Sequence, residues 1–149
     1  MIALIQRVSE AQVKIEDKEI ASIGKGFLIL LGVISGDNDA DLEYLVKKVT
    51  KLRIMADKEG KMNLDLMAVG GEVLVVSQFT LAGEVSGGNR PSFIKAAEPE
   101  IGEKYYRQFV GGLSAAGLPV KTGEFGAYMA VSLINDGPTT LIINSQNKS

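Results

Sequence analysis

The chain reads as a single-domain α+β protein, a mixed β-sheet with flanking helices, and three features of the sequence predict it. Two runs, Phe27–Val33 and Val73–Val76, are apolar almost throughout, the pattern of strands covered on both faces. Two other stretches repeat apolar residues at helical spacing: Leu42, Leu45, Val46 and Val49, then Ile101, Tyr105, Phe109 and Leu113. The length, 149 residues, suits one domain spanning residues 1–149, large enough to bury roughly 68 to 70% of its unfolded surface without disulfides.

In chain order, Ala3–Val8 and Gln12–Ile15 alternate apolar with polar residues, and Glu16-Asp17-Lys18-Glu19 makes a polar turn before Ile20, so a hairpin is predicted. Gly24-Lys25-Gly26 breaks the chain before the first apolar run. Asp37–Asp41 supplies capping side chains and negative charge at a helix start, and Lys47, Lys48 and Lys51 suit the negative end of that helix. Leu52–Met55 reads as a strand, Asp57–Gly60 as its turn and Lys61–Leu64 as a short return. Gly70-Gly71 opens the second apolar run. The glycine-rich stretch Ala82–Pro91 predicts a mobile loop. Pro99 fits the first turn of the second helix, and Gly111-Gly112 implies either a close approach there or a bend. Val120–Thr122, Ala127–Ile134 and Leu141–Ile143 complete the sheet, with a turn at Asn135–Thr140; Asn144–Ser149 is expected to fray.

Composition removes whole classes of chemistry. The chain has no cysteine and no histidine, which excludes thiolate nucleophiles, imidazole bases, disulfides and ordinary zinc sites together. No metal or other cofactor is implied. A net charge of -2 argues against nonspecific coating of nucleic acid while leaving room for a local basic patch. No apolar run approaches the roughly 20 residues of a membrane span, and Gln6, Arg7, Ser9 and Glu10 interrupt the amino-terminal stretch before a signal-peptide core could form, so a cytoplasmic protein is expected. The glycine-rich loop lacks the Gly-Lys-Ser or Gly-Lys-Thr ending of a P-loop and the spacing of a dinucleotide fingerprint, which excludes nucleotide hydrolysis.

Two stretches stand out as candidate sites. Ser77-Gln78-Phe79-Thr80 places two hydroxyls and an amide at the end of a buried strand, where they either face a ligand or satisfy local backbone groups. Asn135-Asp136-Gly137-Pro138-Thr139-Thr140 is either a plain hairpin turn or a tight corner able to take a cis peptide bond.

Taken together, Ser77–Leu81 and Asn135–Thr140 resemble the motif pair of the D-aminoacyl-tRNA deacylases. The similarity runs almost the whole chain, through Gln6-Arg7-Val8, Gly24-Lys25-Gly26, Leu31-Gly32-Val33, Lys61–Leu64, Arg90–Phe93 and Phe125-Gly126-Ala127. The resemblance implies a barrel-like sheet and a two-fold homodimer in which each subunit's Gly137-Pro138 corner, in cis, reaches into the partner's pocket as a chiral gate. It implies that Ser77, Gln78, Phe79 and Thr80 line the catalytic pocket, with Ala96, Phe125 and Met129 around the adenine and the aminoacyl group. The implied partner is a tRNA acceptor end carrying a D-amino acid or glycine, in translation proofreading; no membrane or DNA partner is implied. One departure concerns the loop Glu84–Asn89, which lacks the family's usual basic residues, so contacts to tRNA phosphates fall to Arg7, Lys47, Lys48, Lys51 and Arg90.

The missing histidine and cysteine fit this resemblance. An aminoacyl ester carries a ribose 2′-hydroxyl beside it, so a site that orients the substrate can enlist that group, with backbone N–H groups near Phe79 and Thr80 stabilising the oxyanion. Two alternatives are that Thr80 is a nucleophile, which needs an adjacent base, and that the fold is a non-catalytic dimeric module binding RNA ends. Discrimination against L-amino acids would come from a main-chain corner that clashes with the mirror-image side chain, which leaves glycine poorly excluded.

Overall fold

A computed structural model describes residues 1–147. Strand β1 (Ile2–Ile15) is paired along one edge by antiparallel β8 (Ala130–Asn144). Its other edge is shared: β3 (Gly26–Gly32) lies alongside Ile2–Val8 and β2 (Lys18–Ile23) alongside Ala11–Ile15. β3 pairs in parallel with β6 (Glu72–Ser77), and β6 in parallel with β7 (Val120–Thr122). The sheet then curls until β6 and β7 return to β2. There Lys121 Nζ donates to the Ser22 carbonyl at 2.7 Å and the Gly24 N–H to Glu72 Oε2 at 2.9 Å, so the mixed sheet becomes a nearly closed barrel.

The curl explains the two apolar runs. Side chains alternate across a strand, so Phe27, Ile29, Leu31, Val73 and Val75 face one way, into a core shared with the helices. Leu28, Leu74 and Val76 face the other way, into the barrel with Val8, Val13 and Ile23. With a core on each side, neither strand has a face left for polar residues.

Helix α1 (Asp39–Thr50) starts at Asn38, whose side chain accepts the Ala40 N–H at 2.9 Å while Asp41 Oδ2 accepts the Asn38 N–H at 3.0 Å, a capping box. Helix α2 (Pro99–Ala115) begins at Pro99 and buries Tyr105, Tyr106, Phe109 and Leu113. Ile101, expected on the same face, is 48% exposed. Gly112 is a site of close approach: a Cβ there would lie 2.9 Å from Val46 Cγ2 on α1, whereas one at Gly111 would meet nothing within 4 Å.

Several elements differ from expectation. Of the Leu52–Met55 stretch only Met55 pairs, within β4 (Met55–Ala56) against β5 (Met62–Leu64). The last long strand starts at Ala130 rather than Ala127, because Gly126 adopts a φ of +79° and turns the preceding segment away from the sheet. Asn135–Thr140 does not separate two strands. β8 continues through it, and the register steps from Gln6↔Thr140 to Val8↔Asn135, so 136–139 bulge out opposite Arg7 alone. Asn144–Asn147 is held rather than frayed: Ser145 is 1% exposed and its Oγ accepts the Met1 amino group at 2.6 Å. Residues 148 and 149 of the expected tail lie outside the described residues.

The predicted hairpin is present as β1–β2, and its turn residues, Glu16 and Asp17, both have positive φ, 49° and 63°. That conformation suits Asn-Gly far better than Glu-Asp. Glu16→Asn with Asp17→Gly should therefore stabilise the protein by about 0.5 to 1 kcal/mol, a rise of roughly 2–4 °C in thermal unfolding. An unchanged or lower Tm would show that this turn carries no strain.

Candidate active site

The three parallel strands β3, β6 and β7 all end at one side of the sheet, the usual place for a ligand in such an arrangement. A cleft of about 880 Å³ opens there. Ser77 closes β6, and Gln78 and Phe79 follow it into the cleft wall. Ala96 comes from the segment before α2, and Phe125 and Met129 from the β7–β8 connection. Six of the residues that the sequence singles out thus meet on one cleft. Among the lining residues Glu98 alone bears a charge; the walls are otherwise apolar or neutral.

Thr80 is not part of the wall. It sits in the 3-10 turn Phe79–Ala82, where its hydroxyl oxygen accepts a hydrogen bond from Gln78 Nε2. Phe79, 57% exposed, meets Phe93 edge-to-face with ring centroids 5.3 Å apart at the cleft mouth. Since Phe79 and Thr80 open the turn, their N–H groups have no carbonyl within it to bind.

Gly137 and Pro138 lie elsewhere. Their peptide bond is cis, and they occupy the β8 bulge opposite Arg7, which pairs with Phe27 at the start of β3. None of residues 136–139 lines the cleft. Arg7 is where the structure corrects the sequence reading: it does not await tRNA phosphates. It is 8% exposed, and its guanidinium donates to the carbonyls of Ile54 at 2.6 Å, Asp136 at 3.1 Å and Gly137 at 3.4 Å, with Asp136 Oδ2 at 3.0 Å from Nε. Asn135 Nδ2 donates to the Arg7 and Thr139 carbonyls, closing the bulge from the other side. The signal available in sequence was an arginine inside an alternating apolar strand, a position that demands buried partners.

The other cations remain on the surface. Lys47, Lys48 and Lys51 are exposed at the carboxyl end of α1, where Lys48 lies over the Tyr44 ring, and Arg90 is exposed in the glycine-rich loop. That loop is anchored at its base. Glu84 and Ser92 form a two-way backbone bridge, and Glu84 Oε2 meets Lys95 Nζ at 2.8 Å, which sets Phe93 against Phe79.

Lys95, with Ser86 assisting, holds the Glu84 carboxyl down from its ordinary value of 4.5 to about 2. A carboxyl depressed in the folded state favours the clasp above the ordinary value and releases it as pH falls through the lowered one. The expected outcome is a Glu84 titration near 2 by carboxyl NMR, moved back toward 4.5 by Lys95→Met. A wild-type Glu84 titrating at its ordinary value would mean that no clasp forms.

The family model described as D-Tyr-tRNA(Tyr) deacylase matches residues 4–144. The D-aminoacyl-tRNA deacylase of Thermodesulfovibrio yellowstonii is 53% identical over 146 residues, 98% of this chain and 100% of that one. The D-aminoacyl-tRNA deacylase of Alteromonas mediterranea is 54% identical over 144 residues, 97% and 99% of the two chains. A solved structure described as c-Myc DNA Unwinding Element Binding Protein superposes with a TM-score of 0.92 at 39% identity, covering 97% of this chain and 98% of that one. Another, described as "a probable eukaryotic D-amino acid tRNA deacylase", shares the fold with a TM-score of 0.81 at 17% identity, covering 95% and 97%. The protein is a hydrolase, and the chain belongs to the D-Tyr-tRNA(Tyr) deacylase family.

Proposed function

We propose that the cleft receives the terminal adenosine of a tRNA charged with a D-amino acid and that the protein hydrolyses the ester, releasing the free amino acid and the tRNA. The observation that carries this reading is the convergence of Ser77, Gln78 and Phe79 with Ala96, Phe125 and Met129 on one largely apolar cleft, in a chain of the deacylase family. The adenine lies against Phe125 and Met129, which puts the ester carbonyl near the opening of the Phe79–Ala82 turn. Water attacks that carbonyl, the Phe79 and Thr80 N–H groups take the developing negative charge, and the ribose 2′-hydroxyl relays the proton that the departing 3′-oxygen requires. Thr80 contributes by position. Its hydroxyl oxygen is engaged by an amide donor, not by a base that could activate it.

The chiral gate comes from a second copy of the chain. Within one chain the Gly137-Pro138 corner does not line the cleft, and the guanidinium of Arg7 holds it through the Asp136 and Gly137 carbonyls. Beside it β8 pairs only with β1 among the described residues, and exposes Ile134 at 55% and Ile142 at 67%. A long apolar strand with a free edge is what a two-fold partner would cover, and a two-fold axis brings each corner to the other cleft. Main-chain atoms of the corner leave no room for an L side chain; glycine, with none, is hydrolysed as well. The protein acts on tRNA in the cytoplasm.

Purified protein should release D-tyrosine from D-tyrosyl-tRNA and spare L-tyrosyl-tRNA. Thr80→Ala should cost no more than about tenfold in kcat, whereas ending the tRNA in 2′-deoxyadenosine should abolish turnover and preserve binding. A covalent aminoacyl-threonine seen by mass spectrometry would identify Thr80 as a nucleophile. Binding without release would make the protein an RNA-end module.

The gate has its own test. A Cβ on Gly137 would meet only Asn135 Oδ1, at the ordinary distance of 3.5 Å, so Gly137→Ala should change stability by less than about 0.5 kcal/mol. Its activity on D-tyrosyl-tRNA should nevertheless fall by more than about tenfold, because the methyl projects from the surface offered to the partner's cleft. Wild-type turnover in this variant would place the gate elsewhere.

A further inference from the structure

The adenosine wall of the cleft is held by two residues that do not line it. The carbonyl of Val75, on the edge of β6 that faces β7, receives two donors: the Gly123 N–H at 3.1 Å and the Tyr106 hydroxyl at 3.1 Å. A carbonyl oxygen offers two lone pairs, so its capacity is filled. Tyr106 reaches it from α2 and is 5% exposed. Burial pushes the phenol's pKa up, so the group stays a protonated donor.

Each donor also carries one side chain of the wall. The Tyr106 ring packs against Phe125, with centroids 5.8 Å apart and planes 47° apart. Gly123 lies beneath Met129, where a Cβ would stand 2.5 Å from Met129 Sδ. Any larger residue at position 123 therefore displaces the thioether. The shared carbonyl is two residues before Ser77 on the same strand, so one atom ties the supports of Phe125 and Met129 to the strand that presents the hydrolytic end.

We propose that Tyr106 and Gly123 are positioning residues that set where the adenine of the acceptor end sits, acting through Phe125 and Met129; the proposal rests on the reading that the cleft takes a terminal adenosine. Their joint anchor fixes the base-holding wall on β6, so it acts on how tightly the adenosine is held and leaves the backbone donors of the Ser77–Thr80 end in place.

The test combines D-tyrosyl-tRNA kinetics with binding of a hydrolysis-resistant probe, 3′-(D-alanylamino)-3′-deoxyadenosine, measured by calorimetry. Gly123→Ala should weaken probe binding and raise KM by about tenfold with kcat within about threefold of wild type. In a Met129→Ala background the same change should cost less than about twofold further, since the displaced atom is gone. Tyr106→Phe keeps the ring under Phe125 and loses the bond to Val75, and should raise KM by about threefold at nearly unchanged kcat. An effect of Gly123→Ala that is equal with and without Met129 would overturn the proposal, as would kcat falling with Tm while KM and probe affinity hold. Wild-type protein that hydrolyses D-tyrosyl-tRNA and binds the probe while the variants match it would overturn the positioning role alone. Wild-type protein that does neither would overturn the cleft assignment, and the positioning role with it.

Discussion

The parallel pairing of β3 with β6 is the contact on which the rest of the molecule depends. It is buried on both faces, with the helices against one and the barrel interior against the other. Its geometry is set at the amino end by Gly26, where even a Cβ would stand 1.8 Å from the Glu72 carbonyl oxygen. Because the two strands run the same way, their carboxyl ends coincide, and the cleft forms where they stop. Lys121 and Glu72 then fasten the far side of the curl, so that the floor of the cleft belongs to a closed surface rather than to a free sheet edge.

A second constraint is the buried guanidinium of Arg7. An arginine inside a strand is costly unless its donors are matched, and here backbone carbonyls from two separate segments match them. Hydrogen bonds of charged donors contribute about 1.5 to 3 kcal/mol each, enough to hold a bulge with few side-chain contacts of its own. The consequence for recognition is that the corner presents main chain in a fixed orientation. If that corner is the proposed gate, its being made of backbone would let it read the handedness of a substrate whatever side chain it carries.

A chain without histidine or cysteine has few ways to break an ester. The geometry offers placement: amides at the start of a short turn, a hydroxyl held by an amide, and a cleft with largely apolar walls. On the proposed mechanism such a site would draw its chemistry from the substrate's own hydroxyl, and its performance would rest on the rigidity of the wall and of the strand that bears the amides.

The elements whose environment is set locally were legible in the sequence. The unbroken apolar runs announced strands with a core on each side, Asn38 and Pro99 marked where helices begin, and Ser77–Thr80 stood out as polar groups closing a buried strand. The motif pair and its full-length resemblance likewise pointed to the family that the comparisons show. Whatever required knowing which segments meet was not legible. Asn135–Thr140 carries ordinary turn chemistry, and only pairing with a continuous β1 makes it a bulge on Arg7 instead of a corner between strands. Arg7 looked like a free cation because its carbonyl partners at Ile54, Asp136 and Gly137 are remote in sequence and carry no side-chain signature. Tyr106 and Gly123 were invisible as site residues for the same reason, since a helix position and a loop glycine acquire their role only when both donate to one oxygen of β6. Local periodicity and capping write the elements into the chain, but backbone carbonyls are identical in every residue, so the contacts they make exist only once the tertiary fold has brought their donors to them.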